Sequence, residues 1–330
     1  MRRYIKAVGA GQKRARDLGR DEAREAMRKL LDEAEPIQVG AFLLALRMKG
    51  EGADELAGFV SLLDERCARA VVPEGTIAVD AHGDGHAGVV SLLPAAACAA
   101  AALGVPVWID VEARSPFAQH GLDGGLHAIG VFSDTMDPRA AAHGMAVRGV
   151  AACDLGRACP PLARLVGHRS LLGVRTVAQT LAKLVSPARA HRLVGAFHAP
   201  YVEPLARALG LILEGKRGLV TQALGGLPEA RPGKILRVAD AGGDGARVID
   251  FTRLASAALP VPSEDADVNE VAHLANAAAL SGKSPFAEHA ATTAALLVHA
   301  ATAADPIDAA RRALAALGDG RARAIAERVA

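Results

Sequence analysis

Hydrophobic positions along this chain change period near residue 73. Before it, apolar side chains recur three and four residues apart in GRDEAREAMRKLLDEA (19–34), IQVGAFLLALRMKG (37–50) and ADELAGFVSLLDERCARA (53–70). That spacing puts them on one face of a helix and predicts three helices. Asp21 and Glu22 fall in the first turn of the first, complementary to the positive end of its dipole, and Gly50 ends the second. The basic residues 1–16 contain Gly9 and Gly11, which should break any helix. Pro73 and Gly75 then punctuate the chain, so the first part reads as a small helical unit.

After residue 73 short apolar runs alternate with longer helical segments. TIAVD (Thr76–Asp80), VPVWIDV (Val105–Val111), AIGVF (Ala128–Phe132) and GVAACDL (Gly149–Leu155) read as strands, as do the later RLVGAFH, GLVTQAL and KILRVAD. From about Asp267 to Ala330 the pattern is helical. Strands alternating with helices predict an α/β fold with a largely parallel sheet covered by helices. No fixed-period repeat is visible.

Composition adds limits. A chain of 330 residues holds two domains or one large one, and 51% apolar residues suffice for a substantial core. The longest apolar run, SLLPAAACAAAALGVPVWI, is interrupted by Pro94, Gly104 and Pro106. It reads as a buried helix followed by a strand, and no membrane partner is expected. The N-terminus has no apolar h-region, so no signal peptide is expected. Cys67, Cys98, Cys153 and Cys159 form no CxxC pair, so a disulfide framework is not expected and a reducing cytoplasm fits.

Charge is sorted along the chain. Residues 157–237 hold 13 Lys+Arg against 3 Asp+Glu, a net of +10, and the first 30 hold 10 against 4, a net of +6. The whole chain is +2, so the rest sums to −14. Arg157, Arg164, Arg169, Arg175, Lys183, Arg189 and Arg192 fall within 36 residues that contain no acid. A solvated helix face normally alternates sign. Two readings are open: a bound polyanion, or acids brought in from elsewhere in the chain.

Chemical motifs are sparse. AHGDGHAG (Ala81–Gly88) follows a strand and is either a phosphate-cradling turn or an ordinary one. His82, Asp84 and His86 could ligate a metal, but no further ligand cluster accompanies them and no metal site is expected. No GxSxG or GxxxxGK[ST] is present. Paired carboxylates such as Asp54–Glu55 read as solvated helix faces.

Four stretches carry a resemblance: YIKAVGAGQKRARDLGRDEAR (Tyr4–Arg24), AFLLALRMKGEGADELAGF (Ala41–Phe59), ACPPLARLVGHRSLLGVRTVAQTLAKLVSP (Ala158–Pro187) and the helical C-terminus. Through them the chain resembles the anthranilate phosphoribosyltransferases, glycosyltransferase family 3, relatives of the pyrimidine nucleoside phosphorylases. More closely it resembles their YbiB-type paralogues, which bind nucleic acid. Against the enzymes' GTGGDG and TFNIST this chain has Ala81, His82, Gly83, Asp84 and Gly85, then VVSLLP. One motif glycine and Ser91 remain, while Val89 and Val90 replace hydroxyls. Asp110 and Glu112 stand where the enzymes carry KHGNR, and would repel a diphosphate. Glu229 remains of the enzymes' magnesium-binding Asp-Glu pair, with Pro228 in place of the Asp. Arg175 matches the LGxRT arginine that contacts the aromatic carboxylate, and Lys183 replaces a proline.

The resemblance implies a small helical domain (residues 1–72 plus 167–193), a larger α/β domain (73–166 plus 194–330), a cleft between them and a homodimer through the helical domains. The combined expectation is a catalytically degenerate fold with no catalytic residue, no magnesium and no other cofactor. Its basic cleft would bind single-stranded DNA or RNA without sequence preference, through Arg169, Arg175, Lys183, Arg189 and Arg192, then Lys13, Arg14, Arg207, Lys216 and Arg217. Gly83, Asp84, Gly85 and Ser91 would be the remnant of the phosphate loop. With only 7 Phe, 2 Tyr and 1 Trp, extensive base stacking is not expected. The alternatives are a surviving phosphoribosyltransferase and a sensor of a small anion or nucleotide.

Overall fold

The computed structural model describes residues 1–11, 13–84, 89–112, 117, 121–132, 136–222, 224–263 and 265–328. It begins with α1 (Arg2–Gly9), α2 (Arg20–Asp32), α3 (Pro36–Lys49) and α4 (Ala53–Arg66). The three helices read from periodicity are present. Gly9 and Gly11 end a helix rather than forbid one: Tyr4 and Val8 of α1 are buried, and α1 packs on α3. α2 and α4 close tightly because Gly58 has no side chain, since a Cβ there would lie 2.2 Å from the Arg20 carbonyl oxygen. Glu55 is not on a solvated face. Its buried carboxylate accepts from the Leu18 and Gly52 amides at 2.9 and 2.8 Å and from Lys49 Nζ at 2.8 Å, tying the α1–α2 connection to the start of α4.

The second half of the topology runs β1 (Ile77–Asp80), α5 (Leu93–Ala102), β2 (Val107–Val111), α6 (Leu122–Ala128), α7 (Pro138–Arg148), β3 (Val150–Asp154), α8 (Leu155–Ala158), α9 (Pro160–Gly167), α10 (Arg169–Leu172), α11 (Val177–Leu184) and β4 (His191–Ala196). There follow α12 (Val202–Ile212), β5 (Gly218–Gln222), β6 (Ile235–Asp240), β7 (Ala246–Asp250), α13 (Val268–Leu280), α14 (Phe286–Thr302), α15 (Pro306–Gly318) and α16 (Arg321–Ala326). The seven strands form one sheet in the order β3-β2-β1-β4-β5-β6-β7. The first five pair parallel, and β6 and β7 are antiparallel. The fold is therefore a small helical domain with a larger, mostly parallel α/β domain, as the sequence pattern predicts.

One expected strand is absent. Residues 128–132 finish α6 in a turn, with the Ile129 and Val131 amides donating to the Leu126 carbonyl. The carbonyls of Ile129 and Gly130 accept from the buried Arg148 at 3.2 and 3.0 Å, so they are unavailable to a ladder. The hairpin strand β7 was not expected, because Ala246–Asp250 is short and two of its five residues are charged.

The run read as a buried helix is α5, which lies against α14 and α16 with its residues 93–100 buried. Among the described residues no helix is long and apolar enough to cross a membrane. α9 and α11 turn back onto α3 and α4, where Leu162, Leu165, Val177 and Leu181 join Phe42, Phe59 and Leu63 in one core. Cys67 and Cys159 form a disulfide across 92 residues. This corrects the expectation of none, because the end of α4 and the start of α9 meet only once the chain has folded.

Candidate active site

Strand order decides where a ligand can bind. From β1 the chain builds β2 and β3 on one side, then returns to build β4 and β5 on the other. The helices after β1 and β4 diverge there, leaving a crevice outside the strands' C-terminal ends. Asp80 closes β1 at this point, Gly195 and Ala196 end β4, and α11 faces them with Gln179 and Lys183. The resulting cleft of about 610 Å³ is lined by His82, Glu112, Arg169, Arg175, Lys183 and Phe197, among others. It opens, past Arg175 and Phe197, into a wider recess of about 1250 Å³ that reaches Arg47 and Tyr201.

Three candidate cations meet in the cleft, and each is already paired. Arg169 grips Asp84 with both terminal nitrogens, at 2.7 and 2.8 Å, and its guanidinium lies 3.6 Å over the Phe117 ring. Arg175 bonds the same carboxylate. Burial works to raise the Asp84 carboxyl, but the two guanidinium groups outweigh it and hold the acid below its usual range. Lys183 donates to Asp80 and to the Gly226 carbonyl, both at 2.9 Å.

Asp80 is the hub. It is wholly buried and accepts four hydrogen bonds, from Lys183 Nζ, the His82 amide (2.7 Å), His82 Nδ1 (3.1 Å) and the Gly195 amide (3.3 Å). Burial alone would raise its carboxyl, yet Lys183 and His82 bring it below the ordinary carboxylate range. His82 is itself only 5% exposed, and its Nε2 has no hydrogen-bond partner. An orphaned buried polar atom costs about 1–3 kcal/mol, so it asks for a ligand or a function. Glu112 also lines the cleft, and burial pushes its carboxyl up.

The other expected binding residues are elsewhere. Arg192 is sealed in the sheet against Asp110 at 2.5 Å and donates to the Lys183 carbonyl at 2.8 Å. Asp110 also accepts from Trp108 Nε1 and Ser186, so it is spent within the core and does not face a diphosphate, contrary to the expectation drawn from its position. Arg189 and Lys216 line a different groove, of about 790 Å³, with Asp64, Arg69 and Glu214. Arg207, Arg217, Lys13 and Arg14 are exposed. Lys13 and Arg14 sit in the turn after α1, Arg207 on α12 and Arg217 before β5, so the ten residues share no single face.

The phosphate-loop remnant is also rearranged. Gly83 packs under the loop after β5, where a Cβ would meet the Gly225 carbonyl at 2.9 Å. Gly85 and His86 lie outside the described residues. Ser91 donates to Glu229 at 2.6 Å, and the other Glu229 oxygen accepts from the Leu92 amide at 3.1 Å. Glu229 is fully buried, which pushes its carboxyl up. The serine left from the phosphate loop and the carboxylate left from the magnesium pair are therefore bonded to each other, and Pro228 has no side-chain oxygen to offer. Among the described residues no group of three His, Cys, Asp or Glu side chains is placed to hold a metal. Magnesium in phosphate sites is usually held by one or two carboxylates with substrate phosphates and water. Here a single carboxylate of the pair remains, and both of its oxygens already accept hydrogen bonds, so the set is a poor fit.

Sequence reasoning missed the Asp80–His82 relationship. Its trace was present: a carboxylate closing a strand, followed two residues later by histidine. It was overlooked because His82 was weighed with Asp84 and His86 as a metal ligand, whereas Asp84 is held by two arginines.

Residues 2–67 match the helical bundle domain of a glycosyl transferase family, and residues 75–323 match that family's a/b domain. An anthranilate phosphoribosyltransferase of Rhodospirillum rubrum is 32% identical over 97% of this chain and 93% of its own. Another, from Methylobacterium nodulans, is 33% identical over 99% and 96%. The crystal structure of anthranilate phosphoribosyltransferase from Thermus thermophilus aligns with a TM-score of 0.81 at 25% identity, over 98% of this chain and 97% of that one. Likeness to named transferases from end to end overturns the expectation of a nucleic-acid-binding protein. The charge pattern agrees, because acids from elsewhere in the chain compensate most of the basic run. Arg157, Arg169, Arg175, Lys183 and Arg192 all have carboxylate partners.

Proposed function

The chain belongs to glycosyltransferase family 3, and from that premise we propose that it is a phosphoribosyltransferase, moving ribose 5-phosphate from phosphoribosyl pyrophosphate to a small aromatic acceptor. The observation that carries the proposal is the cleft at the switch point of the sheet, roofed by α11, in a chain that matches named anthranilate phosphoribosyltransferases over nearly their whole length.

The reaction breaks the bond from ribose C1 to the pyrophosphate oxygen, whose electron pair leaves with pyrophosphate, and forms a bond from C1 to the acceptor. Negative charge grows on the leaving group, so fixed cations stabilise the transition state more than the ground state. Arg169, Arg175 and Lys183 are the cations at hand. Asp84 keeps the two guanidinium groups side by side, as a carboxylate standing where phosphate oxygens would bind. The same proposal assigns no step to a divalent cation, since Ser91 and Glu229 satisfy each other. It includes a homodimer through the helical domain, for which Ile37 and Leu171, 81% and 85% exposed, supply apolar surface.

The test is release of pyrophosphate from phosphoribosyl pyrophosphate in the presence of anthranilate and other carboxylated aromatic amines, with and without a chelator. Acceptor-dependent release is expected, and release that survives chelation fits the absent metal set. No release with any acceptor, at micromolar protein, would overturn the reading.

A further inference from the structure

His82 lines the cleft, and its Nε2 is a buried nitrogen with no hydrogen-bond partner among the described residues. Its Nδ1 lies 3.1 Å from Asp80 Oδ1. Asp80 is an anion with all its other contacts to donors, so Nδ1 is a nitrogen that carries a proton, and Nε2 is the one that can accept when the ring holds a single proton. The ring cannot turn away freely, because it is buried and its own backbone amide is tied to the same carboxylate. Nε2 is buried without a partner among the described residues, in a side chain that lines the cavity with Arg169, Arg175 and Lys183.

We propose that His82 is a catalytic residue, the general base that takes the proton from the acceptor's attacking N–H or O–H, with Asp80 as the positioning residue. This rests on the transferase reading above. As C1 leaves pyrophosphate, the acceptor atom bonds to C1 and its proton passes to Nε2. The resulting imidazolium is stabilised by Asp80 and later returns the proton to water. Carboxylate, imidazole and nucleophile in line is a recurring solution, because the carboxylate fixes both tautomer and ring orientation. The base selects for acceptors whose nucleophile must lose a proton during attack. The groups that bear on its titration are Asp80 from β1, Glu112 beyond β2, Lys183 from α11, and Arg169 with its partner Asp84.

The experiment compares wild type, His82→Gln and His82→Gly with phosphoribosyl pyrophosphate and the best acceptor, measuring kcat and donor KM from pH 5 to 9. A fall in kcat of about 10²–10⁴-fold at little change in donor KM is expected for both variants. The acidic limb of the wild-type profile should disappear in His82→Gln, and added imidazole should restore part of kcat in His82→Gly. Melting temperature shows whether each variant is folded, and the imidazole arm reads the base even if His82→Gln folds poorly. Wild-type turnover retained in both variants, or an acidic limb that persists in folded His82→Gln, would overturn the base while leaving the transferase. No turnover in wild type would overturn the transferase reading and this step with it.

Discussion

Arg192 on β4 reaches across β1 to bond Asp110 on β2, with Nη1 2.5 Å from Oδ2 and both side chains almost wholly buried. The strand between them is crossed at Ala78, which is in register with Arg192 on one side and Trp108 on the other. Removing one member of a buried pair leaves an uncompensated charge, which costs about 3–5 kcal/mol. Arg192→Met should lower the urea midpoint accordingly, and Arg192→Met with Asp110→Leu should recover most of the loss. Equal midpoints for single and double variants would show that the pair is not coupled.

Asp84 restrains two arginines of the cleft. Asp84→Asn removes the carboxylate while keeping the shape, freeing charge for an incoming anion. Partly exposed ion pairs contribute up to about 1 kcal/mol each, so pyrophosphate affinity should rise about fivefold, measured by calorimetry at constant ionic strength. Unchanged affinity would mean that the arginines do not meet the leaving group.

Glu229 sets a pH dependence of known sign. Burial raises its carboxyl in the folded chain above the unfolded value of about 4.3. The group therefore favours folding fully below the unfolded value, and that contribution is lost as pH rises through the folded value. Glu229→Gln can accept from the Leu92 amide with Oε1 while its Nε2 donates to the Ser91 hydroxyl, and it carries no charge to bury. Its stability relative to wild type should increase from pH 4 upward, read as urea midpoints across the range. A constant difference would contradict the buried carboxyl.

Cys67 and Cys159 join the end of α4 to the start of α9. A cross-link over a loop this long restricts the unfolded chain, and stabilises by about 2–4 kcal/mol. Reduction should lower the denaturation midpoint of wild type and leave that of Cys67→Ser unchanged. A midpoint insensitive to reductant in both would exclude the cross-link.

The elements that could be read beforehand are those whose signal is local. α2, α3 and α4 announce themselves by spacing, and β1 through β6 by apolar runs between turns. AIGVF failed because a strand also needs free carbonyls, and Arg148 takes those of Ile129 and Gly130 from 19 and 18 residues further along the chain. At the site, Lys183 and Arg175, expected from the sequence to bind nucleic acid, line the cleft with their charge already taken. Asp80 and Asp84, which neutralise it, are about 100 and 90 positions earlier in the chain.

What the amino-acid order determined by itself was the inventory: a helical unit, an α/β sheet, a block of cations without neighbouring acids, and a glycine-bearing turn after the first strand. What only the tertiary structure decided was which of those groups meet. Periodicity follows from bonded geometry over a few residues and is written locally. Electrostatic compensation depends on distances of 2.5–3 Å between atoms brought together by the crossover from β3 back to β4. That crossover seals Arg192 away from solvent, pairs Lys183 with Asp80, and leaves Nε2 of His82, a residue that lines the cleft, without a partner among the described residues.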